Sequence, residues 1–553
     1  MGRFCAKFIA LVVALAALAG CTLTQTQSPT PRVITATPVA QLATATRAPT
    51  LPPSPTAAPS GTPALAPSET PPRLEPSATP PVTALPTTSP TPALLPPTLA
   101  PTRTPSSPPT VPPLDDGSGR AIGGTGRDIF ALTGLEEIDA LPETLYYLGG
   151  DAGAPQVWRL QWGLTAPEQL SFTPWGVEAY SVAPDGTLAY IARNGEMTVG
   201  GLPIAPPAGP DGTRLVPKAL AWSPLGGWLA YVLQTPGAEP GAAGDFSQDG
   251  VWLRSAEGRT VHLARSDYTS SGATAYTGPI TWRPDGTEVL AGAQTGGGFG
   301  VARVNILTGE VWPVWDAARL PPGSYTGAQW SINGNAIITS GGGQVLRVEP
   351  DTLGAQPLLD EGAGLLPRGT QQFANGTVTF AAQPAESGNG AWRLYLSAPG
   401  QDEPLAVTDA LVDGGRIDFL WGLYEQEAVV VAYDTPDALY GTPFFLDAQG
   451  ALRDLTPILG EIAAPAWGPV VVRTDAARIN TTDGEPLNLR SAPGGSLLVA
   501  LPNGTLVTVL GGPRTVDGLQ WWQVRAADGV AGWVAESVAD TRGLRLRTLI
   551  PMP

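Results

Sequence analysis

One phrase recurs along the middle of this chain and limits what the chain can fold into. It reads Tyr180-Ser181-Val182-Ala183-Pro184-Asp185-Gly186-Thr187-Leu188-Ala189-Tyr190, and it returns three times in clear form. The other copies run from Leu220 through Trp222-Ser223-Pro224 to Tyr231, from Ile280 through Trp282-Arg283-Pro284-Asp285-Gly286 to Leu290, and from Ala328 through Trp330-Ser331-Ile332-Asn333-Gly334 to Ile338. In each copy an apolar run stops at a turn and a second apolar run comes back. Gly supplies the positive φ that such a hairpin needs, and Asp or Asn tolerates it. Fainter echoes stand at Phe373–Phe380, at Trp421-Gly422 and at Pro465-Ala466-Trp467-Gly468-Pro469. A chain that turns back on itself this often, and shows few helical stripes, is expected to be all-β.

The spacing of the copies sharpens this. Pro184 and Pro224 are 40 residues apart and Pro224 and Pro284 are 60 apart, the longer gap holding a Gly-rich insertion between Pro236 and Asp249. A period of about 40–50 residues with four short strands in each unit is that of a β-propeller blade. Trp222-Ser223-Pro224 and Trp282-Arg283-Pro284-Asp285-Gly286 resemble the phrase of the TolB-type and WD-repeat-like propeller family. The resemblance implies a six- or seven-bladed β-propeller over 140–474, with Leu145–Leu148 and Gln156–Leu160 as the outer hairpin of a first blade. It also implies a scaffold that binds proteins, sugars or peptides on its central face. The repeat tryptophans are expected in the core, and Asp185 and Asp285 are expected to serve their turns.

After residue 475 the pattern changes. Leu487-Asn488-Leu489-Arg490-Ser491-Ala492-Pro493 is followed by Leu506-Val507-Thr508-Val509, by Trp521-Trp522-Gln523-Val524 and by Gly532-Trp533-Val534. These motifs, in this order, resemble the bacterial Src-homology-3-like domain, which implies a small SH3-like β-barrel over 475–545. In such domains an aromatic-lined groove takes cell-wall peptides or other proteins. Successive strand positions face opposite sides, so Trp521 or Trp522 is expected to line that groove. Trp533 is expected in the barrel core.

The first fifth of the chain belongs to neither pattern. Arg3 and Lys7 precede a short apolar run, Phe8–Leu18, too short for a transmembrane helix and suited to a secretory signal at 1–20. Leu18-Ala19-Gly20-Cys21 resembles the bacterial lipobox. That resemblance implies cleavage before Cys21 and acylation, palmitate included, of a mature chain whose one cysteine it is. An ordinary signal with a chance Cys is the plainer alternative. From 21 to 113 the chain is mainly Pro, Thr, Ser and Ala without an aromatic residue, although the whole sequence holds 16 Trp and 61 Pro. Such a segment buries too little apolar surface to offset chain entropy and is expected to be a disordered Pro/Thr-rich stalk. Where polyproline II holds, it extends by ~3.1 Å per residue. Dense Ser/Thr with Pro suits O-glycosylation as well as a plain linker.

The formal net charge is −17. Arg3, Lys7, Arg32, Arg47, Arg73 and Arg103 outnumber Glu69 and Glu75 before residue 114, so the body is more acidic still. An acidic body repels phosphate backbones, and no nucleic-acid partner is expected. Neither a metal nor another cofactor is expected: the only histidine is His262, read as an ordinary strand residue in Thr260–Ala264, and a multi-His or Cys-based zinc site is excluded by count. There is no Gly-x-Ser-x-Gly elbow for a triad. The chain is therefore read as a non-catalytic, extracytoplasmic lipoprotein, partnered by the membrane through its lipid and by peptidoglycan or envelope proteins. The alternative is a carboxylate-dependent glycan hydrolase or lyase with the barrel as its wall-targeting module. An enzyme would bring converging Asp/Glu pairs into the propeller's central pocket; a binder would bring aromatic and polar residues without such a pair.

Overall fold

A computed structural model describes residues 141–552, apart from short stretches of which the longest is 314–325. The expected signal, Cys21 and the 21–113 linker lie outside the described residues. No described helix is long and apolar enough to cross a membrane.

The body opens with seven blades, which settles the expected six or seven. Their inner strands are Ala463–Gly468, Val177–Val182, Val216–Trp222, Thr274–Trp282, Thr326–Trp330, Leu365–Gln372 and Arg416–Trp421, for blades 1 to 7 in turn. Blades 2 to 7 each form from one continuous stretch, because successive antiparallel strands need only a short turn between them. At five of the inner-strand ends the same turn recurs. Gly186, Gly226, Gly286, Gly334 and Gly376 have φ of 84°, 73°, 71°, 70° and 87°. The amide of each donates to the carbonyl three residues back, at Ala183, Ser223, Arg283, Ser331 and Phe373. This explains why Leu225 and Ile332 stand where Pro-Asp is usual elsewhere: the turn depends on its glycine. Asp185 and Asp285 accept from the backbone amides of Thr187 and Thr287 at 2.9 and 3.0 Å, so both stabilise turns.

The repeat tryptophans are inter-blade wedges. Trp222, Trp282, Trp330 and Trp421 are all buried. Trp282 Nε1–H donates to the carbonyl of Ala221 in the preceding blade at 2.9 Å, and Trp467 Nε1–H does the same to Trp421 at 2.7 Å. Each ring buries apolar area, and those of Trp282 and Trp467 also cap a carbonyl of the preceding blade.

Blade 1 corrects one expectation. Thr144–Gly149 and Gln156–Leu160 are its two middle strands, not an outer hairpin. The inner strand comes from the far end of the repeat, with Leu145 paired to Trp467 and Thr144 to Gly468. Pairing the first strand with the last closes the ring and gives Thr144–Gly149 a partner on both sides. Gly468 is required at this closure. A Cβ there would lie 2.2 Å from Cε2 of Tyr146, whose ring is fully buried. Gly468→Ala is expected to cost about 1–3 kcal/mol by overpacking. Gly227→Ala, whose Cβ would meet nothing within 4 Å, serves as the near-neutral control in urea denaturation.

The C-terminal sheet has seven strands in the order Leu497–Leu501, Leu487–Arg490, Ala531–Ala535, Leu519–Ala526, Leu506–Val516, Ala476–Ile479 and Leu549–Pro551. It runs past residue 545, because Leu549–Pro551 pairs with Ala477–Ile479. Its core joins Leu489, Val509, Trp522, Val524, Val534 and Leu549 to Trp162, Val470 and Val471 of the propeller part. The barrel is completed by residues outside itself.

Candidate functional site

The turns that end the inner strands converge on one face, and the C-terminal barrel leans over it. The reach comes from one long hairpin, Leu506–Val516 with Leu519–Ala526. At its tip Asp517 and Gly518 have φ of 53° and 73°. Two positive φ values in a two-residue loop make a turn whose twist matches the strands. Thr515, Gly518 and Gln520 from this hairpin face Pro184, Pro224, Ile332, Gln371, Gln372 and Leu420 from the propeller across a cleft of about 570 Å³. Phe373, Trp421 and Trp467 form part of its wall. Ile332, half exposed at 50%, is the most open apolar group among them.

Three charged side chains line the cleft, Glu143, Glu536 and Arg547, and all three are buried. Arg547 Nη2 donates to Glu143 Oε1 at 2.8 Å and to the Pro142 carbonyl at 2.7 Å. Its Nη1 donates to Glu536 Oε1 at 3.2 Å. Glu536 Oε2 accepts from Trp522 Nε1–H at 2.6 Å. The guanidinium also sits 5.1 Å from the centre of the Trp162 ring. Burial pushes the Glu143 carboxyl up to about 7; Arg547 pulls it down and Glu536 pushes it further up. Chemically, this group joins two domains. An acid–base pair for glycoside cleavage needs two carboxyl groups facing the scissile bond. Here both close on one guanidinium.

The barrel tryptophans separate by register. Trp522 is fully buried and pairs with Val534 on the core face, its indole N–H taken by Glu536. Trp521 points to the other side of the same strand, opposite Arg514, and is 8% exposed. Trp533 is half-buried and pairs with Gln523, so it lies on the outer side with Trp521 and not in the core as expected. Val534 takes the core place, because a strand can turn only every second residue inward. The Arg514 guanidinium covers the Trp533 ring at 4.8 Å.

His262 is a strand residue of blade 3. Its ring stacks on Trp252 at 4.3 Å and 7°, and Nε2 lies 3.2 Å from the Asp249 carbonyl. Burial lowers its pKa. Asp249 beside it is buried and holds the blade's long loop, accepting from the Thr235 amide and hydroxyl and from Tyr268. Sequence reasoning missed Glu143, Trp162, Glu536 and Arg547. The one available signal was the Arg-rich run 542–547, which extends beyond the usual end of the barrel's motif.

Residues 485–539 match the family described as the bacterial SH3 domain. The C-terminal barrel is a bacterial SH3-like domain. No curated protein matches this chain. Among solved structures, TolB from Acinetobacter baumannii is similar at 17% identity over 60% of this chain and 83% of its own, with a TM-score of 0.34. TolB from Agrobacterium tumefaciens stands at 16% identity over 44% and 84%, TM-score 0.30. A puromycin hydrolase mutant complexed with PGG stands at 14% over 69% and 57%, TM-score 0.42. At such identities the likeness is one of fold.

Proposed function

We propose that this chain is an extracytoplasmic lipoprotein of the cell envelope, acylated on Cys21, with 21–113 as its spacer, that binds its ligand without changing it covalently. The ligand is a wall peptide held in the cleft between the propeller's turn face and the SH3-like domain. The observation that carries this reading is the lining of the cleft. Gln371, Gln372 and Gln520 and apolar residues such as Ile332 and Leu420 line the opening, while the three charged groups are bound to one another. Peptide sites combine an apolar lining with a few fixed polar groups in this way. Binding is favoured over carboxylate catalysis because neither Glu143 nor Glu536 is free of Arg547.

The reading makes the SH3-like domain half of a composite site and not a separable targeting module. Trp162, Val470 and Val471 complete its core, so wall binding belongs to the full chain and not to a 475–553 fragment. Sedimentation of the full-length protein with peptidoglycan sacculi tests this. Ile332→Glu on one wall and Gln520→Ala on the other are exposed positions, and each is expected to weaken binding about tenfold, as loss of one of the few residues that carry an interface does. Binding that ignores both substitutions places the site elsewhere. No binding at low or moderate salt sinks the wall-peptide reading and leaves envelope proteins as the partners of the cleft.

A further inference from the structure

We infer that Glu143, Arg547 and Glu536 form a pH-sensitive latch that holds the SH3-like domain on the propeller and so controls the width of the cleft. The inference rests on the cleft being the binding site; the latch itself rests on the geometry of the joint. Two carboxyl groups share one guanidinium in a place where Glu143, Glu536 and Arg547 are only 5%, 9% and 4% exposed. Fully ionised, the group carries one net negative charge out of water; with one carboxyl protonated it is neutral. Buried charge without a partner is costly, so one of the two carboxyls holds its proton well above the usual range.

The geometry says which one. Glu536 is held twice, by Arg547 and by the Trp522 indole N–H. The Glu143 carboxyl accepts from Arg547. The charged groups acting on Glu143 are Arg547 and Glu536, and among the described residues no other charged side chain lines the cleft. Uncharged groups also touch the latch: the Pro142 carbonyl, the Trp162 ring, and Asn480, whose Nδ2 donates to the Arg547 carbonyl at 2.9 Å. Deprotonating Glu143 thus puts an extra charge on the connection that ties Pro142 and Glu143, at the start of blade 1, to Arg547.

The direction follows. Glu143 is raised from an ordinary 4.5 to about 7, so the folded joint binds its proton more tightly than the open chain does. The stabilisation is fully present below about 4.5 and is lost as pH rises through about 7. Asp475, held by Gln161 and the Val472 amide in the same joint, is also raised by burial and adds a smaller slope of the same sign.

Hydrogen exchange on the full-length protein tests the latch. Peptides covering 476–480 and 545–552 report the joint, and one covering 428–433 in blade 7 is the internal reference. After correction for intrinsic exchange, joint protection is expected to fall about 30-fold relative to the reference between pH 5.5 and 8.5. Glu143→Gln is expected to remove most of that fall. Should that variant not fold, Glu536→Gln gives the same flattening, because Arg547 then faces a single carboxylate. A flat wild type, or a slope unchanged in the variants, overturns the latch. Sacculus binding measured in parallel separates the two ideas. Binding with no exchange slope sinks the latch alone, and a slope without binding sinks only the wall-peptide reading.

Discussion

Replacing Arg547 by Met is expected to destabilise the protein by about 3–5 kcal/mol at pH 7. The substitution keeps most of the side-chain volume and removes the charge. Glu143 and Glu536 would then face each other in a buried site with no cation between them, and the Pro142 carbonyl would lose its donor. The cost arises from stranding buried charge, and this makes it separable from packing. In the triple variant Arg547→Met, Glu143→Gln, Glu536→Gln, most of the loss should return, because a neutral buried cluster carries no uncompensated charge. Below pH 5 the single variant should recover part of its stability as the two carboxyls take up protons. Urea denaturation of the three proteins at pH 5 and pH 7 checks all of this. A single variant within 1 kcal/mol of the parent would mean that the pair contributes little to the joint.

Trp162→Ala is expected to cost about 3–5 kcal/mol, the range for removing a large buried aromatic ring. The residue follows the second described strand of blade 1, and its amide donates to the Thr144 hydroxyl at 3.1 Å. Its ring nevertheless belongs to the core of the SH3-like domain, beside Leu489, Val524 and Val534, and it lies under the Arg547 guanidinium. The loss should therefore appear in the barrel: peptides from 487–490 and 531–535 should exchange faster, while those from blades 3 and 4 stay protected. Equal loosening of blades and barrel would show that the two parts unfold as one unit. A change confined to blade 1 would show that Trp162 does not support the barrel.

Much of the architecture was legible in the sequence. The hairpin that ends five of the inner strands is a local event: an apolar run, a residue that tolerates a turn, a glycine at positive φ, and a second apolar run. Gly226 and Gly334 keep that geometry even though Leu225 and Ile332 break the familiar phrase. The SH3-like domain was readable for the same reason, since its motifs are strands and turns in a set order. The turn roles of Asp185 and Asp285 and the strand role of His262 followed from neighbours one to three residues away.

The candidate site was not legible, and particular residues show why. Glu143 and Arg547 stand near opposite ends of the body, and nothing in the sequence around either names the other. Trp162 reads as one more propeller tryptophan, yet it fills another domain's core. Trp533 looked like a core residue and Trp521 and Trp522 like equals, because a pair of adjacent aromatics does not reveal which strand face is inward.

The sequence by itself determined an all-β body of repeated hairpins followed by an SH3-like barrel, because those features depend on the period of two along a strand and on the few residues that allow positive φ. Only the tertiary structure decided that the ring closes at seven blades through Ala463–Gly468, that the barrel borrows Trp162, and that Arg547 ties it to Glu143 over a shared cleft. Those outcomes rest on contacts between segments hundreds of residues apart, whose free energy comes from burial and charge pairing that no local pattern encodes.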